Sequence, residues 1–355
     1  MKALKLTKNK SLKLDEVEPP NLRKNHSIIS IDFVGLCSSD IARTYSNGAY
    51  SYPLIIGHEA MGRIYQTSSK KFATGDRVII FPLKPCFKCN ECKSMDFQRC
   101  KNYSYYGSRE DGALQQQINI HNWNLIKIDH SIKSADAALT EPTSVMVHVK
   151  NILFNHLSLH ALKNNFGAVI GGGFLSIIFC KILHILDVSN HIVFERNKFK
   201  RSFAKEKNIH SIDSREIKKR KYKNFFKWVV EASGDPNSIE NAIEICAPGG
   251  VIVLMSNIRE DVKLKKDIFS KILRKELTVL GSWNSSFNKS GKSDWSEAIR
   301  LIKKGFSPSE FVTHNISLAE AQGIIERFHL HKIRKKKFKA IKALIRVSDD
   351  YSTSS

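Results

Sequence analysis

The stretch that decides the fold runs from Phe166 to Glu195 and reads FGAVIGGGFLSIIFCKILHILDVSNHIVFE. An apolar segment, GAVIG, is followed by a glycine turn, an apolar run of helical length, FLSIIFCKILHIL, and a second apolar segment, HIVFE. Short apolar runs bounded by glycine are typical of buried parallel strands, and a helix between two of them makes a βαβ unit. The stretch therefore predicts an α/β domain with a parallel sheet.

The glycine turn has the features of a dinucleotide-binding site. Gly171 permits the tight turn, and Gly173 lets the backbone approach a pyrophosphate. The pyrophosphate would lie at the N-terminus of the helix that starts with Phe174 and Leu175, where the dipole favours anions. Ser176 stands where the fingerprint has its third glycine, so this segment alone is also compatible with a plain glycine-rich turn.

An acidic residue ends the second strand of this unit. Glu195 lies where a carboxylate binds the adenine ribose hydroxyls, which favours NAD over NADP. Arg196 beside it keeps NADP open, because an arginine there can accommodate a 2′-phosphate. Further strands from Trp228, Gly249 and Glu276, with the helical segment NSIENAIEIC between the first two, continue the α/β alternation.

A cysteine lobe precedes this domain. Residues 85–100 read PCFKCNECKSMDFQRC, which places Cys86, Cys89, Cys92 and Cys100 in a C-x2-C-x2-C-x7-C pattern. Four thiolates this close can surround one Zn²⁺ with no vacant position, which indicates a structural site. Disulfides, a chance cluster of buried thiols and a zinc-ribbon module for nucleic acid are the alternatives.

A second, mixed set of metal-binding side chains comes from separated segments. Cys37 stands in VGLCSSD, His58 and Glu59 follow a glycine turn in IIGHEAMG, and Glu141 stands in LTEPTSVMVH. Three protein ligands of these types leave zinc a fourth position for water or substrate, which is the arrangement of a catalytic site.

Size and composition fit a globular protein of two domains. The chain has 355 residues, 42% of them hydrophobic and 26% charged. Its formal net charge of +23 would attract anionic partners, but the lysines are spread along the chain without interleaved aromatic residues, so we expect no nucleic acid. Seven cysteines and no export signal favour a cytoplasmic location. The apolar run 166–180 is too short to span a membrane.

Several motifs together resemble those of the zinc-containing medium-chain alcohol dehydrogenases, and within them the polyol branch: GLCSSD, PLIIGHEAMG, GDRV, the cysteine lobe and EPTSVMVH. The resemblance spans nearly the whole chain. It implies a GroES-like, β-rich catalytic domain over 1–150 with a structural zinc lobe at 85–101. It also implies a Rossmann NAD-binding domain over 151–283, a return to the catalytic domain over 284–347, and a flexible tail over 348–355.

The resemblance also assigns roles to residues of the mixed site. It makes Cys37, His58 and Glu141 the ligands of the catalytic zinc, with Glu59 as an alternative carboxylate that exchanges with water or substrate. Asp40 corresponds to an acid that orients the ligand histidine, since a ligating imidazole usually donates its other N–H.

Other positions are implied as neighbours of the substrate. Ser39 matches the hydroxyl beside the substrate oxygen, although a serine there also suits a turn or a helix cap. Arg43 and Asn284 are candidates for contacts with the substrate. The chain departs from the family at Ser38, where glycine is common, and at Ala42, where the proton-relay histidine of other members stands.

The function that follows is hydride transfer between NAD and a secondary alcohol of a polyol or polyol phosphate. We expect two Zn²⁺ per chain, one catalytic and one structural, binding of the dinucleotide between the domains, no membrane association, and a homodimer or homotetramer. Two alternatives stay open: a threonine-type or other alcohol dehydrogenase of the family, and a non-enzymatic relic or nucleic-acid-binding protein that uses the basic surface.

Overall fold

The computed structural model describes residues 1–289, 291–333 and 335–348. The chain divides into two compact units, one made of Met1–Pro142 with Ser286–Ser355 and the other of Thr143–Ser285. Apart from Ser348, the predicted tail over 348–355 lies outside the described residues.

Strands dominate the first unit and alternate with helices in the second. Their bounds are β1 (Lys2–Lys8), β2 (Ser11–Glu16), β3 (His26–Gly35), β4 (Leu54–Ile55), β5 (Glu59–Thr67), β6 (Arg77–Ile80), β7 (Leu83–Lys84), β8 (Ser104–Tyr105), β9 (Gln117–His121), β10 (Leu125–Lys127), β11 (Gly167–Ile170), β12 (His191–Phe194), β13 (Ser211–Ile212), β14 (Phe226–Glu231), β15 (Cys246–Leu254), β16 (Thr278–Gly281), β17 (His314–Ser317) and β18 (Ala343–Arg346).

The α-helices vary from one turn to four turns. Their bounds are α1 (Ser38–Ala42), α2 (Asn90–Lys93), α3 (Ser134–Ala138), α4 (Thr140–Phe154), α5 (Leu159–Asn164), α6 (Phe174–Ile185), α7 (Lys198–Glu206), α8 (Asn237–Ile245), α9 (Lys266–Arg274), α10 (Asp294–Lys303) and α11 (Ala321–Lys332).

The first unit is organised around a mixed sheet of seven strands. Its order is β10-β6-β5-β3-β18-β17, and β9 also pairs with β3. A three-stranded sheet, β2-β1-β4, shares its apolar core, which includes the fully buried Leu4, Ile29, Ile31 and Ile345. The chain returns to this unit late, because β18 pairs antiparallel with β3. The central strand β3 therefore pairs with strands from both the N-terminal and the C-terminal part of the sequence.

The second unit contains the parallel sheet that the βαβ stretch predicts. Its six strands have the order β13-β12-β11-β14-β15-β16, and every pair is parallel. The predicted strands GAVIG and HIVFE are β11 and β12, and the predicted apolar helix is α6. All four residues of β11 are buried, which explains why its sequence is continuously apolar rather than alternating. The α/β fold class is confirmed.

No helix in the described part of the chain is both long enough and apolar enough to cross a membrane.

Candidate active site

Antiparallel pairing of β3 and β5 brings the mixed metal-binding residues together. Gly35, the last residue of β3, faces Glu59, the first residue of β5. Cys37 follows β3 by two residues as the N-cap of α1, and His58 comes directly before β5. Gly57 has φ of 97°, and an added Cβ would lie 2.8 Å from Leu114, so the turn before His58 requires glycine. Sheet register thus places Cys37, His58 and Glu59 together, and these three side chains form the metal-binding corner.

The donor atoms of Cys37, His58 and Glu59 all lie within 4.8 Å of one another. His58 and Glu59 are buried, with 6% and 1% exposure. A thiol, an imidazole and a carboxylate are the donors found in catalytic zinc sites, and three of them leave one position open. The residues present therefore fit a zinc ion.

Asp40 is the buried acid that supports this corner. Its carboxylate lies 3.4 Å from His58 Nδ1, accepts a 3.2 Å hydrogen bond from the Cys37 amide, and pairs with Arg43 at 3.3 Å. Burial raises the pKa of Asp40, but the charges of His58 and Arg43 outweigh it and lower the pKa below its ordinary value. Asp40 is thus an ionised group beside the imidazole, and it already forms an ion pair with Arg43.

Glu141 lies near the corner but is not among its converging donors. It stands in the first turn of α4, where its Oε1 accepts a 3.3 Å hydrogen bond from the Tyr105 hydroxyl. Burial, more than the charge of Glu59, raises the pKa of Glu141 to about 7. Burial also raises the pKa of Tyr105 well above its usual range, so this phenol is a neutral donor. The ring of Tyr105 packs edge-on to His58 at 5.6 Å.

A buried lysine was missed by the sequence interpretation. Lys342 Nζ donates to both carboxylate oxygens of Glu59, at 2.7 Å for Oε1, and the two side chains are 5% and 2% exposed. The two residues are 283 positions apart in the chain. The signal was a lysine between apolar residues, directly before the closing strand in KAIKALIRV, because a buried lysine requires a partner. Glu59 is therefore shared between the metal-binding corner and an ion pair.

The four cysteines of the lobe also converge. Their sulfurs lie within 4.8 Å of one another, with 3.9 Å between Cys86 and Cys92, 3.5 Å between Cys89 and Cys92, and 3.8 Å between Cys89 and Cys100. A tetrahedral zinc with Zn–S bonds of about 2.3 Å separates its sulfurs by about 3.8 Å, whereas a disulfide requires about 2.0 Å. All seven cysteines are free, so the disulfide alternative is excluded.

Backbone amides prepare one of these thiols for metal binding. The Lys88 and Cys89 amides point at the Cys86 sulfur, at 3.5 and 3.4 Å, and they lower the pKa of Cys86 to about 6. Burial raises the pKa of Cys92 to about 12, so that thiol is ionised only when a cation compensates its charge. The lobe is chemically suited to a structural zinc.

The glycine turn of the second unit has the shape required at a helix N-terminus. Gly171 has φ of 103°, and Gly173 is the N-cap of α6. An added Cβ at Gly173 would meet no atom within 4 Å, so the backbone is open to a ligand there. Glu195 accepts hydrogen bonds from the Gly172 amide at 2.8 Å and the Asn197 amide at 2.6 Å, which fixes its carboxylate at the end of β12 beside the turn. This arrangement fits a dinucleotide.

The remaining predicted residues lie in four places. Phe174 and Leu175 start α6, Arg196 is exposed next to Glu195, and Ser39 is half-buried in α1. Asn284 belongs to the second unit and has φ of 53°. The functions assigned to these residues stay predictions.

Two family models match the chain. The alcohol dehydrogenase GroES-like domain covers residues 23–130, and the zinc-binding dehydrogenase domain covers residues 175–304. Galactitol 1-phosphate 5-dehydrogenase of Escherichia coli K12 is 29% identical over 297 residues, which cover 81% of this chain and 84% of that protein. D-xylulose reductase A of Aspergillus oryzae is 24% identical over 355 residues, which cover 94% and 93%.

A solved structure agrees with these matches. The crystal structure of galactitol-1-phosphate dehydrogenase from Escherichia coli has a TM-score of 0.86 and 26% identity, over 98% of this chain and 100% of that one. The resemblance to the polyol branch and the GroES-like plus Rossmann architecture are both confirmed. The chain is an enzyme of the zinc-dependent alcohol and polyol dehydrogenase family.

Proposed function

We propose that this enzyme transfers hydride between NAD and a secondary alcohol of a polyol or polyol phosphate similar to galactitol 1-phosphate. The observation that carries the proposal is the convergence of Cys37, His58 and Glu59 within 4.8 Å. The names of the similar proteins, a polyol-phosphate dehydrogenase and a xylulose reductase, support the substrate class. When bound, zinc supplies positive charge that favours alkoxide over alcohol, and NAD accepts the hydride.

The side chains of the enzyme have complementary tasks in this chemistry. Asp40 orients the His58 imidazole, and Tyr105 fixes Glu141 as the second carboxylate of the corner. Lys342 holds Glu59 and compensates its charge, so Glu59 can approach or leave a metal without becoming an isolated buried anion. Ser39 is our candidate for the hydroxyl next to the substrate oxygen.

The cofactor preference rests on Glu195. Its carboxylate is held beside the glycine turn by two backbone amides. A ribose 2′-hydroxyl can donate to such a carboxylate, whereas a 2′-phosphate would be repelled by it. We therefore expect NAD to be preferred over NADP.

The decisive experiment combines metal analysis with NAD reduction over a panel of polyols, their phosphates and threonine. We expect two zinc ions per chain and activity on one polyol or polyol phosphate. Cys37→Ala and His58→Ala should each lose one zinc and nearly all turnover while keeping the fold. Cys89→Ser is the matched control: it should lose the other zinc and lower the melting temperature.

Three results would contradict the proposal. Near-normal turnover in Cys37→Ala would show that the metal-binding corner is not required for catalysis. Activity on threonine alone would favour the amino-alcohol alternative. Salt-sensitive binding of DNA or RNA without binding of NAD would favour the non-enzymatic alternative.

We also propose a homodimer that uses the edge of the parallel sheet. Among the described residues, β16 pairs with β15 alone. Large apolar side chains are exposed on β16 and on the preceding helix α9: Val279 at 40%, Phe269 at 57% and Leu273 at 69%. An open edge strand flanked by apolar surface is normally covered. Light scattering of the wild-type protein should give twice the mass of the chain. The Leu273→Glu variant should be a monomer, with the mass of one chain.

A further inference from the structure

We propose that Arg109 recognises the phosphate of a phosphorylated polyol and thereby sets the substrate preference of this enzyme. The inference rests on the proposed function, which supplies the reacting alcohol, and it assigns the other end of the substrate to a particular side chain. All the contacts around Arg109 that support it lie within the first unit.

Two tyrosines hold the guanidinium of Arg109. Its Cζ lies 4.5 Å from the ring centre of Tyr50 and 4.4 Å from the ring centre of Tyr103. Arg109 is exposed, and Tyr50 is 72% exposed. A guanidinium stacked on aromatic faces keeps its in-plane N–H donors available, and these donors match the geometry of a phosphate.

A line of aromatic rings connects Arg109 to the metal-binding corner. The Tyr103 ring packs edge-on to Tyr105 at 6.4 Å, and Tyr105 packs edge-on to His58 at 5.6 Å. Arg109 is therefore two rings away from a predicted zinc ligand. In this proposal, the phosphate of a sugar alcohol whose reacting hydroxyl lies at the corner is bound by this arginine.

The loop that carries Arg109 is fixed to the segment just before His58. The Gly112, Ala113 and Leu114 amides donate to the carbonyls of Ile55, Gly57 and Ile56 at 2.7, 2.9 and 3.0 Å. The contact is so close that an added Cβ at Gly107 or Gly112 would lie 2.5 or 2.2 Å from the Gly57 carbonyl. The spacing between Arg109 and the corner is thus determined by backbone, which is what discrimination between substrate lengths requires.

Three other cations of this unit have acidic partners. Arg43 pairs with Asp40 at 3.3 Å, and Lys342 pairs with Glu59. Lys84 pairs with Glu110, the residue next to Arg109, at 2.7 Å.

Arg109 differs from these cations. Asp111, the remaining acid of the loop, accepts from the Ile55 amide at 2.8 Å. Within residues 1–289, 291–333 and 335–348, no acid pairs with the Arg109 guanidinium and it makes no hydrogen bond. It therefore offers an uncompensated, positioned charge to an anion.

The test compares kcat/KM for galactitol 1-phosphate and for galactitol in wild type, Arg109→Gln and Arg109→Lys. We expect Arg109→Gln to lower the ratio of the two values about 10- to 100-fold, as for a lost charge-assisted hydrogen bond, and Arg109→Lys to retain part of the preference. Lys70→Gln is the matched control, because it removes one exposed charge of the same unit elsewhere and should leave the ratio unchanged.

Calorimetric titration with inorganic phosphate separates this inference from the proposed function. If wild type oxidises no polyol or polyol phosphate of the panel but binds phosphate through Arg109, the proposed function is wrong and the anion site stands. If wild type is active and Arg109→Gln keeps both the ratio and the phosphate affinity, the inference is wrong and the proposed function stands. Equal losses in Lys70→Gln would also overturn it, since they would reflect overall charge.

Discussion

Two glycine-to-alanine substitutions in one βα unit should have opposite consequences. Gly167, the first residue of β11, faces Trp228 of the neighbouring strand β14. An added Cβ at Gly167 would lie 1.9 Å from Trp228 Cε2 and 2.0 Å from Cζ2. Carbon atoms in contact are about 3.5–4.0 Å apart, so the ring and the methyl group cannot both keep their positions. At Gly173, six residues later, the same methyl group would meet no atom within 4 Å.

The cost at Gly167 follows from the packing around Trp228. The indole is fully buried, and it packs edge-on to Phe179 at 6.1 Å, so a shift displaces other core side chains. Inserting a methyl group into such a core costs about 1–3 kcal/mol, which exceeds the gain of about 0.4–1 kcal/mol from restricting the unfolded chain. With an m-value of about 2 kcal/mol per molar urea, the midpoint should fall by about 0.5–1 M.

Urea unfolding followed by far-ultraviolet circular dichroism measures this difference. Gly167→Ala should unfold earlier than wild type, and the double variant Gly167→Ala/Trp228→Phe should lose less than the sum of its single substitutions. Gly173→Ala, the control, should keep the wild-type midpoint and lose NAD affinity, because its methyl group would occupy the space next to the α6 N-terminus. An unchanged midpoint in Gly167→Ala, or an equal loss in Gly173→Ala, would refute the packing explanation.

Two further predictions concern buried charge. Lys342→Met leaves Glu59 buried without its ion-pair partner and should lower the free energy of unfolding by about 3–5 kcal/mol. The double variant Glu59→Gln/Lys342→Met should recover much of this loss. Equal urea midpoints for wild type and Lys342→Met would show that the ion pair does not stabilise the fold. Burial lowers the pKa of His191 from 6.5 to about 4. The unfolded chain therefore binds the proton first, and the free energy of unfolding decreases as pH falls through this range, by about 1.6 kcal/mol between pH 6.5 and 5. His191→Leu should flatten this dependence in unfolding measured at several pH values, and an equally steep loss in that variant would assign it to other groups.

The local features of this enzyme could be predicted from sequence because each lies within one short segment. The βαβ unit follows from apolar runs separated by glycine, and it forms as β11, α6 and β12. The cysteine lobe follows from four thiols within fifteen residues, which converge as their spacing requires. The resemblance to the family added the prediction that Cys37 and His58 belong to one metal site. These residues lie together because the strands next to them, β3 and β5, are hydrogen-bonded neighbours.

The tertiary structure alone decided which charges meet. No local pattern could show that Lys342 binds Glu59 from 283 residues away, or that Tyr105 donates to Glu141, 36 positions further along the chain. Such contacts depend on strand order and register, which bring distant residues into a buried space where each ion requires a partner. The sequence determined which types of metal-binding and charged side chain this protein has. The pairing of its strands determined which of them lie together and which are held in ion pairs.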